Sequence, residues 1–303
     1  MTTSPLQQAA RKEFLIGLAI AVAGAVLFSG KAIVAKLIYR YPVDAITLLA
    51  FRMLFSVPVF AAVALWQGWS AAPLSDADRA RVAVLGLLGY YLASFLDFLG
   101  LQHISAGLER LILFLTPTFV LLLSVFIFKK RISRFEWGAL AVSYLGTVFV
   151  FMHDVSRGGS NVWLGGAFVL GSAVSYALYL IFSGELLQRV GTLRLVAYAM
   201  CVSSVACIGQ FFLLRPLSML LQPLPVYGLS LVNALFCTVL PVFMTMIAVA
   251  RVGAGTASLA GMVGPVSTLF LAAVILGEPV TGIQLTGTAL VLCGMYLLSR
   301  KKS

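Results

Sequence analysis

Long apolar runs separated by short polar breaks follow one another from Phe14 almost to the end of the chain. The pattern predicts spans near 14–38, 44–67, 82–101, 106–128, 135–152, 162–187, 194–214, 226–249, 254–276 and 281–298. A hydrocarbon core of about 30 Å is crossed by about 20 helical residues at ~1.5 Å each. In lipid every backbone polar group must be satisfied within the protein, so runs of this length read as helices. The predicted fold class is therefore an all-α integral membrane protein with ten transmembrane helices and no loop able to hold a soluble domain. The first run exceeds the apolar core of about 7–15 residues of a cleaved signal peptide and is read as retained. Composition agrees: 61% of residues are hydrophobic and 10% charged, against about 25% charged in a soluble domain.

One stretch competes with this reading. Residues 24–32, GAVLFSGKA, outline a phosphate loop. Such a loop needs four residues between its glycines and a hydroxyl after the lysine to hold Mg²⁺. Here Gly24 and Gly30 are five residues apart in their spacer, and Ala32 follows Lys31. The stretch is a membrane helix, and the question becomes why a lysine lies inside it.

The net charge of +11 would suit nucleic acid if it formed a patch, so its distribution decides. With the amino terminus in the cytoplasm, Arg11, Lys12, Arg79, Arg81, Lys129, Lys130, Arg131, Arg134, Arg189, Arg194, Arg251, Arg300, Lys301 and Lys302 flank the inner side, and Arg40, Arg157 and Arg215 the outer. Fourteen against three is a strong positive-inside bias, and it predicts both termini in the cytoplasm. The basic charge is topology, with no nucleic-acid partner implied. Cys201, Cys207, Cys237 and Cys293 all fall within spans and read as small apolar residues.

The chain also matches itself. At an offset of 148, Ala106-Gly107 falls on Ala254-Gly255, Leu111 on Leu259, Pro117 on Pro265 and Gly146 on Gly294; at 149, Leu15 falls on Leu164, Gly17 on Gly166 and Arg40 on Arg189. Residues 1–152 and 153–303 would each hold five helices. An odd number inverts the second half in the membrane, an architecture that places a transporter's substrate site near the midplane between the halves.

Two stretches carry a resemblance. ISAGLERLILFLTPTFVLLLSVFIFKKRISRFEWGALAVSYLGTVFVF and VGAGTASLAGMVGPVSTLFLAAVILGEPVTGIQLTGTALVLCGMYLL each resemble the second part of an EamA repeat. The pattern has small residues after a short loop, a mid-helix proline, an apolar run, a Glu at the turn and a Gly-containing last helix. Lys31 to Lys36, followed by Phe51-Arg52, resembles the first part. The chain thus resembles the drug/metabolite transporter superfamily over nearly its whole length, and within it the EamA family and its YddG-type amino-acid exporters. The resemblance implies a 5+5 inverted repeat around a central cavity bounded mainly by helices 1, 3, 4, 6, 8 and 9. Two positions depart from the pattern: Lys129-Lys130 replaces the turn Glu that the second half has as Glu278, and Glu109-Arg110 stands where small apolar residues are usual.

Ionisable groups inside spans cost from about 2.5 kcal/mol at a helix centre and mark functional candidates. They are Lys31, Lys36, Arg52, Asp97, Glu109 and Arg110, all in the first half. Lys36 can snorkel to the outer headgroups, and Arg52 reads as a buried anchor. For Asp97 two readings stay open: an ion pair with Arg52 or Arg110, or a proton carrier or partner for a substrate ammonium.

Polar residues at helical spacing outline a cavity. Ser172, Ser175, Tyr176, Tyr179 and Ser183 share a face of the sixth span; Tyr90, Ser94 and Asp97 share one on the third; Asn233, Cys237 and Pro241 share one on the eighth. Interhelical hydrogen bonding is the competing use for such residues. Thr116-Pro117 and Gly264-Pro265 interrupt two spans at matching repeat positions. Paired interruptions of this kind mark binding regions and hinges, so Thr116 joins the substrate-binding candidates and Pro117 and Pro265 are candidate hinges. Trp163 reads as an interfacial residue, and neither His103 nor His153 has metal-ligand spacing. No metal or cofactor is expected.

The function expected is secondary transport, by alternating access, of small amphipathic metabolites across a bacterial cytoplasmic membrane. Export, and amino acids including aromatic ones as substrates, follow from the resemblance. A passive channel and an intramembrane enzyme acting on lipid-linked metabolites are the alternatives, and no catalytic constellation supports the latter. Partners are then the small-molecule substrate and membrane lipid, the protein being a monomer or weak homo-oligomer.

Overall fold

The computed structural model describes residues 5–70, 72–129, 133–156 and 161–300; of the flanking basic residues, Lys130, Arg131, Arg157, Lys301 and Lys302 lie outside them. The helices are α1 (Pro5–Ile38), α2 (Ala45–Ser70), α3 (Asp76–Leu101), α4 (Ala106–Phe128), α5 (Arg134–Ser156), α6 (Val162–Val190), α7 (Thr192–Leu214), α8 (Leu224–Gly253), α9 (Leu259–Leu276) and α10 (Gly282–Arg300). Among the described residues nine are long and apolar enough to cross a membrane, and the apolar part of α10, Gly282–Leu298, is shorter.

Polar residues at the breaks set the helix ends. Asp44 caps α2, accepting a hydrogen bond from the Thr47 N–H at 3.0 Å. Ser75 and Ser105 cap α3 and α4 in the same way. In the capping box of α5, Ser133 N–H donates to Glu136 and Glu136 N–H to the Ser133 hydroxyl. Thr281 and Gln284 form the same box at α10, 148 residues later. Such reciprocal bonds satisfy backbone donors that the first helical turn leaves free. Gly191 (φ 86°) and Gly253 (φ 81°) make the sharp connections α6–α7 and α8–α9, in a region of φ open chiefly to glycine.

The packing obeys the inverted repeat. Exchanging each helix for its counterpart five places along turns the contact α1·α8 into α3·α6 and α1·α9 into α4·α6, while α2·α7, α4·α9 and α5·α10 map onto themselves; every one of these contacts is present. The α5·α10 seam shows the symmetry in detail. A Cβ on Gly146 would lie 2.6 Å from the Gly287 carbonyl, and one on Gly294 would lie 2.6 Å from that of Ala139. The two contacts interchange at the 148-residue offset. Close backbone approach through small residues is how membrane helices gain packing without a hydrophobic driving force.

Two matched irregularities interrupt the helices. A π-turn occupies Leu87–Leu92 of α3 and another Leu235–Val239 of α8, again 148 residues apart. Helix α4 breaks at Leu115 and α9 at Met262, two and three residues before their prolines. Pro117 has no N–H to give the Leu113 carbonyl, and the Thr116 hydroxyl donates to that carbonyl instead, at 2.6 Å.

Candidate functional site

A cavity of about 540 Å³ separates the α1·α8·α9 group from the α3·α4·α6 group. Its walls come from α1, α2, α3, α4, α6, α7 and α8. The resemblance implied α9 in place of α2 and α7; α9 instead stands behind Arg110, with Gly264 packed against the guanidinium. The cavity runs from a buried cluster of charges to Thr192 and Thr245, both exposed toward the membrane face that carries the amino terminus.

The charged end answers the question of the lysine in α1. Lys31 Nζ lies 2.5 Å from Asp97 Oδ2 and 3.2 Å from Glu109 Oε1, and the three residues are 5%, 3% and 0% exposed. A cation between two carboxylates offsets a burial that would be prohibitive for any of them alone. One of the two readings of Asp97 pairs it with Arg52 or Arg110. The structure corrects this, because Arg52 gives its Nε to Thr238 at 2.8 Å and its Nη1 to Ser94 at 3.3 Å. Among the described residues, Arg52 and Arg110 have no carboxylate within ion-pair distance. Two rings complete the cluster: Phe28 faces Lys31 at 5.3 Å and Arg110 at 5.0 Å, and Phe98 faces Lys31 at 5.7 Å and Arg52 at 5.2 Å. Aromatic faces attract cations, the more so when water is excluded.

A tyrosine wall stands opposite the apolar side. Tyr90 and Tyr179 share a hydrogen bond of 3.1 Å, and the Tyr176 and Tyr179 rings stack with centroids 5.5 Å apart. Gly89 makes room for this wall: a Cβ there would come 2.6 Å from Tyr179 Cδ2.

Of the residues expected at the site, Tyr90, Ser94, Asp97, Thr116, Pro117, Ser172, Tyr176 and Tyr179 line the cavity. Ser175, Asn233, Cys237 and Pro265 are not among its lining residues. Ser175 and Ser172 donate to the carbonyls of Leu88 and Ala93, at the π-turn of α3, so Ser175 binds helix to helix and Ser172 does so while also facing the cavity. For α8 the cause is register. A π-turn inserts a residue, worth about 100° of rotation, between Asn233 and Pro241. The face of α8 that meets the cavity is Thr238, Pro241, Val242, Thr245 and Met246. Phe28, Phe98 and Thr238 escaped the sequence reading. A search for aromatic residues three or four positions from buried cations would have found Phe28, but nothing local marks the other two.

At the opposite face the helix groups meet. Just past α1, the Tyr39 hydroxyl donates to the Phe98 carbonyl of α3 at 2.7 Å, and Arg40 donates within its own group, to the Leu276 carbonyl of α9 at 3.4 Å. Asp44 takes two contacts from the Arg215 guanidinium, at 2.6 and 2.5 Å. Burial raises the Asp44 carboxyl, but hydrogen bonds from Thr47 and Arg215 outweigh it and hold it below the usual carboxylate range. Glu278 accepts from the Ala106 N–H at the start of α4; burial pushes its carboxyl up against the pull of Lys36 and that N–H. Lys36 is half-buried in the field of Glu278.

This architecture has relatives. The model of the EamA-like transporter family matches residues 15–152 and 163–300. An uncharacterized transporter of Bacillus subtilis, YcbK, is 30% identical over 295 residues, covering 93% of this chain and 92% of its own. A Salmonella typhimurium protein named a probable amino-acid metabolite efflux pump is 26% identical over 234 residues, covering 72% of this chain and 78% of its own. A crystal structure at 19% identity shares the fold with a TM-score of 0.64, covering 95% of this chain and 98% of that one. Two matched repeats and a relative alike from end to end, together with a cavity between helix groups that the repeat relates, lead to one conclusion: this multi-pass membrane protein belongs to the EamA-like transporter family.

Proposed function

We propose that the protein exports small amphipathic metabolites, amino acids including aromatic ones among them, from the cytoplasm by alternating access across a bacterial cytoplasmic membrane. The observation that carries this is the asymmetry of the cavity's two ends. On the amino-terminal face the ion pairs Glu13–Arg251 (α1·α8) and Asp78–Arg189 (α3·α6) each lie within one helix group. On the far face Tyr39–Phe98 joins the two groups. The groups therefore splay toward the side that the positive-inside bias assigns to the cytoplasm, and these two groups, each built from helices of both repeats, residues 1–152 and 153–303, act as the units that rock. Opening the other way requires parting Lys31 from Asp97 and Glu109. The volume lies within the roughly 300–1,000 Å³ of small-molecule sites, and the tyrosine wall beside a charged end suits a substrate with an apolar body and a polar head. The efflux name of the Salmonella relative supports the substrate class.

Counterflow of L-phenylalanine in proteoliposomes tests the proposal. Saturable exchange accelerated by unlabelled substrate on the opposite side is the expected result. Flux that rises linearly with concentration would indicate a passive channel, and no flux of any amino acid would remove the substrate class.

A further inference from the structure

Arg110 is the buried ion that the fold leaves without a protein partner. It is 9% exposed, lines the cavity and makes neither a hydrogen bond nor an ion pair among the described residues; its buried Nε has no acceptor. Among the described residues the Phe28 ring faces it at 5.0 Å and Gly264 packs against it, while the Glu109 and Asp97 carboxylates act on it through space, beyond ion-pair distance. Both carboxylates of the cluster are turned to Lys31, and the neighbouring Glu109 side chain leaves the helix about 100° away from that of Arg110. A guanidinium carries five donors, and leaving its buried Nε without an acceptor is costly. An anion in the cavity would remove that cost, and a planar carboxylate matches the guanidinium fork.

We infer that Arg110 binds a carboxylate of the transported molecule, so that the recognised substrates are organic anions or zwitterions with an apolar body, and a free ammonium is dispensable. On the carboxylate side the Lys31 ammonium already sits between Asp97 and Glu109; Asp97 Oδ1 and both Glu109 oxygens accept no hydrogen bond among the described residues, and the amine probe below reads whether a substrate cation uses them. The inference rests on the transport reading but commits it to one end of the substrate.

Three probes of similar shape separate the charges: L-phenylalanine, 3-phenylpropanoate and 2-phenylethylamine. Binding to the purified protein in detergent is measured by equilibrium dialysis, apart from any flux assay, so failure of transport leaves it readable. The two carboxylates are expected to bind within a few-fold of each other and the amine at least tenfold more weakly. Arg110→Gln is expected to weaken both carboxylates tenfold or more without changing the amine, and Arg110→Lys to keep part of the affinity. The wild-type comparison decides even if a variant does not fold. Equal binding of the amine, absence of binding by both carboxylates, or a uniform loss across all three probes in Arg110→Gln would overturn the assignment.

Discussion

Lys31 shows how a residue forbidden by its surroundings becomes structural. Removing it would strand Asp97 and Glu109 in a dry interior, and breaking a buried pair costs about 3–5 kcal/mol. Lys31→Gln is expected to lower the melting temperature sharply in detergent, and Lys31→Gln/Asp97→Asn to recover a substantial part of the loss. A double variant no more stable than the single one would show that the pair is not what holds the lysine. Asp44 is a milder case at the surface, where it caps α2 and meets Arg215. Loss of cap and exposed pair in Asp44→Ala should cost about 1–2 kcal/mol near neutral pH. Because the folded carboxyl lies below its unfolded value, of about 3.9, this stability is present above that pH and lost as pH falls through the folded value. Melting curves from pH 3 to 8 should show the gap between wild type and variant closing at the acid end; a gap independent of pH would leave only the loss of helix capping.

Among the elements, α4 and α9 are already divided at Leu115 and Met262, and their prolines keep them so by denying a backbone bond. Pro117→Ala and Pro265→Ala restore the donor and should stiffen the helices. Turnover is expected to fall several-fold while substrate affinity changes little, measured by separate binding and flux assays; unchanged turnover in both would remove the hinge role. The inner face of α6 carries a second expectation. Tyr176 and Tyr179 line the cavity with an aromatic surface and a terminal hydroxyl, a combination that suits amphipathic ligands. Alanine at either position should reduce transport without loss of folded protein, and cysteine there should react with a polar thiol reagent, less so with substrate bound. Two unreactive positions and two normally active alanine variants would make this face interhelical packing.

For the whole molecule, the proposed alternating access would use the inverted repeat to turn a static asymmetry into a cycle, the second half doing at one face what the first does at the other. The charges do not follow that symmetry, since Lys31, Arg52, Asp97, Glu109 and Arg110 all lie in the first half, so the two end states differ in where the cluster faces. The proposed direction, export, depends on orientation. Reporter fusions at residues 1 and 303 should both report the cytoplasm; an external terminus at either end would overturn the orientation and the count of ten.

Hydropathy, the basic bias, the prolines and the 148-residue echo determined the spans, their inverted halves and most of the cavity face of α6, because each is a property of a local window or of its periodicity. Tertiary structure alone decided which charge meets which. Lys31 and Asp97 are 66 residues apart, and their pairing depends on how α1 and α3 stand beside each other. It also decided the face of α8. A straight helix would align Asn233, Cys237 and Pro241, but the π-turn at Leu235–Val239 rotates one half against the other, and Thr238 meets the cavity instead. A helix that inserts one residue where its neighbours supply the compensating contacts leaves no mark on the hydrophobic period of its own sequence.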